Sequence, residues 1–333
     1  MMQKNVFTGI KPTGKIHIGN YVGAIKPALA LAGNDKYKSL FFIADYHGLT
    51  KNHDPAEMRE LTYEVAAAWI ALGLNIDHTI FYRQSDVPEI FELSWILSCF
   101  APKGLMNRAH AFKAAAQTNK SEGKEPDYGV SMGLYTYPIL MASDILLFQS
   151  DLVPVGKDQI QHVEIARDIA QSFNHQYGKS FILPEALVTD NSQIIPGLDG
   201  RKMSKSYNNT IPLFSHPEVL RKLIYRIKTD SSLPGEPKNS NNSTLFSIYR
   251  HFASPAEVEY MDKKFEKGIS WGEVKQQLFE AINSFIEEPR QKFEYLMEKT
   301  HLLEEILEKG AKKARDTAIP ALLEIKKKIG IQT

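Results

Sequence analysis

The chain has 333 residues, 43% of them hydrophobic and 24% charged, and a formal net charge of +1 at pH 7. That length suits one large domain plus a smaller appended one, and the near-neutral charge excludes nucleic-acid binding through a global positive field. The single cysteine, Cys99, excludes an internal disulfide framework, and without a signal-peptide core or an apolar run long enough to cross a bilayer we expect a cytoplasmic protein with no membrane contact.

The first feature along the chain is a turn rich in glycine and proline. A β-rich run over residues 6–10 passes through this turn into a helix that opens with His17, Gly19 and Asn20. Backbone N–H groups and the positive end of the helix dipole then point at one place, which predicts an anion site. His17 and Asn20 have donors for phosphate oxygens, and Gly19 permits close approach of a nucleotide.

The next elements alternate between strands and helices. An apolar run over residues 39–44 ends on Asp45, as expected of a buried parallel strand whose carboxyl end faces a site. Asp54 is placed to cap a helix that Gly73 terminates, and residues 79–82 read as a third strand. This alternation predicts a doubly wound parallel sheet. Two helices over residues 88–100 and 102–116 are predicted next, followed by a mobile surface loop over residues 118–129.

Residues 137–148 are apolar at helical spacing, with the exception of Asp144. A buried, unpaired carboxylate costs at least a few kcal/mol. Asp144 is therefore either a surface residue of this helix or an acceptor with a specific partner.

The segment from Lys202 to Ser206 alternates lysine and serine directly after a glycine-flanked turn. Two ammonium groups on such a segment can move onto a polyphosphate, although a solvated basic turn has the same composition.

From about residue 215 the chain is predicted to be helical throughout. Ser254 and Ser270 each precede a glutamate at capping-box spacing. The last helices carry lysines and one arginine between residues 309 and 328. These basic residues fit a solvated helix face or, beside a nucleotide-binding domain, a surface for RNA phosphates.

The pair of motifs, residues 17–20 and 202–206, resembles the two signature motifs of class I aminoacyl-tRNA synthetases, with Asn20 where many members have histidine. The strings over residues 19–24, 137–147 and 153–159 are similar to those of the bacterial tryptophanyl-tRNA synthetase family. The resemblance covers nearly the whole chain. Lys11 and Lys157 depart from it, because many bacterial members have Gln and Glu at these positions.

This resemblance implies a Rossmann-like α/β domain over residues 1–212 and a helical anticodon-side domain over residues 213–333. It implies ATP-dependent activation of L-tryptophan followed by transfer to tRNA(Trp), with Mg²⁺ entering with ATP, and a homodimer. The sequence itself has no His/Cys cluster with zinc-ligand spacing, so we expect no separate metal site. The catalytic residues it implies are His17, Lys202 and Lys205. The ATP-binding residues it implies are Lys11, Pro12, Thr13, Gly19, Asn20, Gly156, Lys157, Asp158, Ile194, Lys202, Met203, Ser204, Lys205 and Ser206. The tryptophan-binding residues it implies are Asp144, as acceptor for the indole N–H, and Phe7, His47, Tyr137, Met141, Val153, Val155 and Gln159.

Three other interpretations remain open at this point. A tyrosyl-tRNA synthetase shares both nucleotide motifs, and the context of Asp144 argues against it. A non-catalytic, RNA-binding synthetase paralogue predicts decay of either motif, whereas both are intact. A small-substrate nucleotidylyltransferase would not require the helical appendix.

Overall fold

The computed structural model describes residues 3–188 and 195–331. Within these ranges five strands form one sheet in the order β3-β2-β1-β4-β5, and every pairing between them is parallel. The strands are β1 (Lys4–Ile10), β2 (Tyr37–Ile43), β3 (Ile80–Arg83), β4 (Leu152–Val155) and β5 (Glu185–Val188). This is the doubly wound Rossmann-like topology predicted from the sequence.

The strand order places a topological switch point between β1 and β4. β1 pairs with β2 on one side and with β4 on the other, so the connections leave the sheet in opposite directions at this place. Ligands of open α/β sheets bind in the crevice outside the carboxyl ends of the strands at such a point. A ligand is therefore expected beside the residues that follow β1 and β4.

Helices cover both faces of the sheet and make up the C-terminal part of the described chain. The first helical stretch consists of α1 (Ile18–Asn20), a π-helical segment (Tyr21–Ile25) and α2 (Lys26–Ala32). The others up to β5 are α3 (Asp45–Gly48), α4 (Pro55–Ala71), α5 (Glu89–Ser98), α6 (Lys103–Met106), α7 (His110–Ser121), α8 (Met132–Leu147) and α9 (Ile160–Tyr177). After β5 follow α10 (Pro217–Tyr225), α11 (Thr244–Tyr249), α12 (Pro255–Glu266), α13 (Trp271–Glu298) and α14 (Thr300–Lys328).

Capping residues begin several helices where the sequence predicts them. The Asp54 carboxylate accepts from the backbone N–H groups of the first turn of α4 at 2.9 and 2.8 Å. Ser254 forms a full capping box with Glu257 at the start of α12. The Ser270 hydroxyl accepts from the Glu273 N–H at 3.2 Å at the start of α13. These local hydrogen bonds satisfy donors that a helix start otherwise leaves free.

Two predictions about residues 102–129 are wrong. The helix predicted over residues 102–116 is two helices, α6 and α7, and the first backbone N–H of α7 donates to the Gln161 side chain of α9 at 2.8 Å. The loop predicted to start at residue 118 begins only after Ser121. The Asn119 side chain then donates to the carbonyls of Pro126 and Tyr128 at 3.1 and 2.9 Å. A side-chain amide therefore fixes a segment whose polar composition alone indicates a loop.

The last helix, α14, packs against β3 at the edge of the sheet. A Cβ on Gly310 would lie 1.7 Å from the Phe81 carbonyl oxygen, so only glycine allows this approach. Buried residues of α14 belong to the hydrophobic clusters on both faces of the sheet. The helical C-terminal part thus shares its core with the sheet. No helix in the described part of the chain is long and apolar enough to cross a membrane.

Candidate active site

A cavity of about 490 Å³ lies at the switch point of the sheet. Its floor is β1, and β4 and α8 provide the walls. Seven of the eight residues predicted to bind tryptophan line it, namely Phe7, His47, Tyr137, Met141, Val153, Val155 and Gln159. Three of the predicted ATP-binding residues line the same cavity, namely Lys11, Asn20 and Gly156. Residues of both predicted sets therefore line one space.

Packed aromatic rings form the base of the cavity. Phe7 stacks on Phe42 with ring centroids 4.8 Å apart and lies 5.7 Å from Phe148. The Tyr82 ring, which is fully buried, lies 5.8 Å from the rings of both Phe42 and Phe148. Each of these rings is held by contacts with its neighbours, so we expect the base of the cavity to be rigid without a ligand.

Tyr137 projects from α8 among polar side chains. Its hydroxyl contacts Nε2 of His162, a buried residue in the first turn of α9. The Lys11 ammonium lies 5.0 Å from the centroid of its ring. Although much of the Lys11 side chain is exposed, burial of its ammonium group and the nearby Lys51 charge lower the pKa of Lys11. A cation against an aromatic face is stabilised by the ring quadrupole.

Asp144 lies beneath the cavity wall. Its carboxylate is fully buried, and it is not among the side chains that line the space. His47 Nε2 lies 2.8 Å from Oδ2, and Gln84 Nε2 donates to Oδ1 at 2.8 Å and to Oδ2 at 3.0 Å. Burial raises the pKa of Asp144, and the hydrogen bonds from His47 and Gln84 oppose that rise. Its predicted role as the indole acceptor stays a prediction.

His17 and Asn20 cap the first helix reciprocally. The backbone N–H of Asn20 donates to His17 Nδ1 at 3.3 Å, and the backbone N–H of His17 donates to the Asn20 side chain at 3.1 Å. Burial, with the nearby Lys205 charge, lowers the pKa of His17 to about 4. The imidazole is therefore neutral at pH 7, which is the state needed for Nδ1 to accept the capping hydrogen bond.

Backbone pairing joins the two sequence motifs. The Ile18 N–H donates to the Ile211 carbonyl at 3.0 Å, and the Leu213 N–H donates to the Ile16 carbonyl at 3.0 Å. The segment after residue 206 is thereby fixed beside the first helix. This pairing explains how motifs far apart in the chain come to lie at one site.

The lysine loop, residues 202–206, contacts the first motif directly. Lys205 Nζ donates to the Thr13 carbonyl, and a Cβ on Gly14 would lie 3.0 Å from the same nitrogen. Burial of this ammonium group lowers the pKa of Lys205, an effect that the Glu64 charge opposes. Lys202 is exposed. Lys205 thus already lies on the phosphate-binding turn that the sequence predicts.

Asn209 holds the base of the lysine loop. It is 2% exposed, its Oδ1 accepts from the Ser204 N–H at 2.8 Å, and its Nδ2 donates to the Lys202 carbonyl at 3.1 Å. Nδ2 also donates to Asp199 at 2.7 Å, and this hydrogen bond, with those from Arg201, lowers the pKa of Asp199 to about 2. One buried amide therefore connects both sides of the loop.

The other predicted residues lie as follows. Pro12 is buried, and Gly19 lies against the loop, since a Cβ on Gly19 would be 3.5 Å from Met203 Cβ. The hydroxyls of Ser204 and Ser206 lie 2.8 Å apart. Lys157 and Asp158 belong to the 3₁₀ turn Lys157–Gln159 that precedes α9. Ile194 lies outside the described residues.

Three polar residues of this region were not singled out from the sequence: Gln84, His162 and Asn209. Gln84 directly follows β3, and a polar residue at the carboxyl end of a parallel strand is a signal that could have identified it. His162 and Asn209 carry no comparable pattern. Their partners become visible only once the helices and the loop are in place.

Comparisons with known proteins agree with this arrangement. A family model described as class I tRNA synthetases (W and Y) matches residues 3–287 of the chain. The chain is 50% identical over 333 residues to the tryptophan--tRNA ligase of Neisseria meningitidis, and the match covers 100% of this chain and 99% of that protein. It is 49% identical over 335 residues to the tryptophan--tRNA ligase of Pseudomonas aeruginosa, covering 100% of this chain and 75% of that protein.

Solved structures are similar over the same extent. The crystal structure of tryptophanyl-tRNA synthetase from Campylobacter jejuni complexed with ADP and tryptophan has a TM-score of 0.89 and 43% sequence identity. The superposition covers 98% of this chain and 99% of that chain. The similarity therefore extends through the sheet and the C-terminal helices alike.

Proposed function

Because the chain belongs to the class I tRNA synthetases for tryptophan and tyrosine, and within them to the tryptophan--tRNA ligases, we propose that its cavity binds L-tryptophan and ATP side by side. The enzyme is an ATP-dependent aminoacyl-tRNA ligase. It activates tryptophan as tryptophanyl-adenylate and transfers it to tRNA.

The observation that carries the site assignment is the junction of two chemically different surfaces. The aromatic base around Phe7 suits a flat apolar side chain. The turn at Thr13, with Lys205 on it, suits a polyphosphate. An amino acid that must meet ATP needs these two surfaces at one place, since holding two reactants in position removes much of the entropic barrier.

In the first step the tryptophan carboxylate attacks the α-phosphorus of ATP. A carboxylate oxygen–phosphorus bond forms, the bond to the bridging oxygen of the β-phosphate breaks, and pyrophosphate leaves with the electron pair. In the second step a terminal ribose hydroxyl of tRNA attacks the activated carbonyl and loses its proton to solvent. An ester bond forms, the bond between the carbonyl carbon and the phosphate oxygen breaks, and AMP leaves with the electron pair. No protein side chain needs to form a covalent intermediate.

The protein contributes position and charge to the first step. Phosphoryl-type transfer leaves little covalent chemistry to the enzyme, so stabilisation of the developing charge dominates. We assign this task to Lys202 and Lys205, whose loop adjoins the anion site at the start of the first helix. His17 stays neutral beside Lys205 and keeps that helix start capped.

We propose that Mg²⁺ enters with ATP, on the phosphate oxygens. Among residues 3–188 and 195–331, no group of three or more His, Cys, Asp or Glu side chains is arranged to hold a metal ion. Bound to the nucleotide, the ion would supply further neutralisation of the phosphate charge.

Selection of tryptophan is assigned to the buried carboxylate of Asp144. Indole is a donor only, so its recognition needs an acceptor at the far end of an apolar slot. A substrate without a donor there would leave a buried acceptor unpaired, and such a loss can produce rejection of about 10⁴-fold or more. Phenylalanine and leucine are excluded in this way, whereas tyrosine must be excluded by the shape of the slot.

The direct test is exchange of labelled pyrophosphate into ATP with each of the twenty amino acids in turn and without tRNA. Exchange with tryptophan alone is expected. Exchange with tyrosine would overturn the assignment of Asp144 while keeping the reaction. No exchange with any amino acid would instead favour a non-catalytic paralogue.

We propose that tRNA lies along the exposed basic face of α14. Arg315 and Lys326 form salt bridges with Glu89 and Glu92 of α5 at 2.8 and 2.6 Å, so they hold the helix on the protein. Lys312 and Lys313 are exposed in the same helix. Reversal of both charges should weaken aminoacylation and increase its KM for tRNA, because contacts with RNA phosphates release counterions. An unchanged KM for tRNA would show that tRNA does not bind along this face of α14.

We infer that the enzyme is a symmetric homodimer, as the family resemblance implies. The supporting feature is Trp95 of α5, whose side chain is 73% exposed. Trp95→Glu should convert a dimer into monomers in sedimentation equilibrium, whereas Lys113→Glu, at an exposed position of α7, serves as the surface control. A wild-type protein that sediments as a monomer would contradict the inference.

We also propose a cytoplasmic location, because charged tRNA is consumed there by translation. Cell fractionation with an antibody to the chain should recover it with the ribosomal supernatant. Recovery in the membrane pellet would contradict this location.

A further inference from the structure

A fully buried glutamine, Gln84, lies one residue beyond β3 with its amide against Asp144. The roles assigned so far leave it without a purpose. A buried side-chain amide costs about 1–3 kcal/mol when its hydrogen bonds are not made, so it is retained only where it has a partner. The partner of its Nε2 is the carboxylate to which the selection of tryptophan is assigned, whereas its Oε1 has no hydrogen-bond partner among the described residues.

The contacts fix that carboxylate from two sides. Gln84 Nε2 lies 2.8 Å from Oδ1 and 3.0 Å from Oδ2 of Asp144, while His47 Nε2 lies 2.8 Å from Oδ2. The two donors come from the carboxyl ends of two neighbouring strands, β2 and β3, because His47 lies in α3, which directly follows β2. A carboxylate offers about four acceptor positions, two on each oxygen. The contacts with Gln84 and His47 use both positions on Oδ2 and one on Oδ1, so the second position on Oδ1 remains free.

We propose that Gln84 is a specificity-determining positioning residue, which holds the Asp144 carboxylate so that its remaining acceptor position meets the indole N–H of tryptophan. This inference rests on the proposed function of the cavity. Gln84 acts through Asp144 rather than by touching the substrate, because its side-chain amide donates to that carboxylate.

Electrostatics gives the same amide a second effect. Burial raises the pKa of Asp144, and the N–H donors of His47 and Gln84 counteract that rise. A protonated carboxyl would present a donor where an acceptor is needed. Loss of the Gln84 donor therefore loosens the carboxylate and favours its protonated form, and both changes weaken recognition of an N–H group.

The neighbouring side chains explain why an amide rather than a second acid occupies this position. Tyr82 is fully buried beside Asp144, and this burial, together with the Asp144 charge, raises the pKa of Tyr82. A glutamate at position 84 would add a second carboxylate to this closed space. Glutamine keeps the same length and supplies donors without charge.

The test compares two substrates that differ only in the group recognised. Equilibrium titration measures the affinity of wild type and Gln84→Met for L-tryptophan and for its benzothiophene analogue, in which sulfur replaces the indole N–H. Methionine keeps the length of the side chain and removes the donors. We expect tryptophan to bind about 10-fold more weakly to Gln84→Met, as for loss of a hydrogen bond to a charged group, and the analogue to change less than about 2-fold.

A matched control is Ser39→Ala on β2. Ser39 is 2% exposed, and its hydroxyl has no hydrogen-bond partner among the described residues, so this variant should leave the ratio of the two affinities unchanged. Equal losses for tryptophan and analogue in Gln84→Met would overturn the inference and make Gln84 a packing residue.

Two further outcomes are separable. If thermal unfolding shows that Gln84→Met does not fold, the ratio of the affinities for tryptophan and the analogue is measured in Gln84→Asn, whose shorter side chain retains an amide. If that variant binds both ligands more weakly but keeps the wild-type ratio, the inference is overturned. Failure of wild type to bind tryptophan would contradict the proposed function of the cavity rather than the role of Gln84.

Discussion

The two halves of the active site are built in opposite ways. The carboxylate assigned to indole recognition is fully buried, and its partners His47 and Gln84 are 4% and 0% exposed. The lysine loop is exposed along most of its length and is held at its base by Asn209 and the pairing of residues 211–213. A rigid, buried site can distinguish similar side chains, whereas an exposed loop can follow the changing charge of a reacting phosphate.

This contrast predicts that substitutions in the loop affect the rate and that substitutions in the slot affect affinity. The largest effect is expected for Lys205→Met, which removes the ammonium group and keeps the length of the side chain. The maximum rate of pyrophosphate exchange should fall about 10³-fold, as for loss of a group that stabilises transition-state charge. The KM for tryptophan should change little. A rate near that of wild type would show that Lys205 does not stabilise the transition state.

The pH dependence of stability tests how His17 lies beside the loop. Its pKa is lowered to about 4 by burial and by Lys205, against 6.5 in the unfolded chain. Between these values the unfolded state binds more protons at this group, so its contribution to stability falls as the pH falls from 6.5 to 4. The loss amounts to about 3 kcal/mol.

The measurement is urea unfolding of wild type and His17→Asn at a series of pH values. Asparagine is a good helix cap and does not titrate, so the variant should lose less stability across this range. Parallel curves for the two proteins would show that His17 titrates with its ordinary pKa.

Asp144→Asn tests the slot. The substitution keeps the shape of the side chain but removes its charge. It also replaces one acceptor oxygen by an NH₂ group, which can only donate. The KM for tryptophan should rise about 30-fold, consistent with loss of a charged hydrogen bond worth about 2 kcal/mol. The KM for ATP should stay within about 2-fold of wild type. Equal increases for both ligands would make Asp144 a structural residue.

The smallest effect is expected for Asn209→Ala at the base of the loop. Loss of its hydrogen bonds to Ser204 and Lys202 should loosen the loop and lower the exchange rate about 10-fold. The control is Asn208→Ala at the neighbouring, exposed position. Asn208 has a positive φ of 49°, which alanine adopts less readily than asparagine. A rate loss in the control as large as in Asn209→Ala would point to backbone strain instead of the side-chain contacts.

The sequence predicts the sheet more completely than the site. Apolar runs identify β2 and β3, because a buried parallel strand must be hydrophobic on both faces. Asp54 identifies the start of α4 because a helix cap is a local feature. The position of α14 against β3 depends on Gly310 approaching Phe81, and no local pattern in the chain contains that contact.

The site shows the same division. The signature motifs predict which residues gather at the switch point, and the cavity contains most of the residues predicted for tryptophan. The partners of these residues were beyond prediction. Gln84 meets Asp144 across 60 positions of sequence, and such a contact follows from the packing of α8 beside the carboxyl end of β3 rather than from spacing along the chain.

The most direct test of this division is a double-mutant cycle. The apparent second-order rate constant for tryptophan in pyrophosphate exchange is measured for Asp144→Asn, Lys205→Met and the double variant. If one region sets affinity and the other sets the rate, the free-energy losses should add to within about 0.5 kcal/mol, as for independent sites. A coupling energy above about 1 kcal/mol would contradict the account, because it would mean that the buried carboxylate and the lysine loop act as one unit.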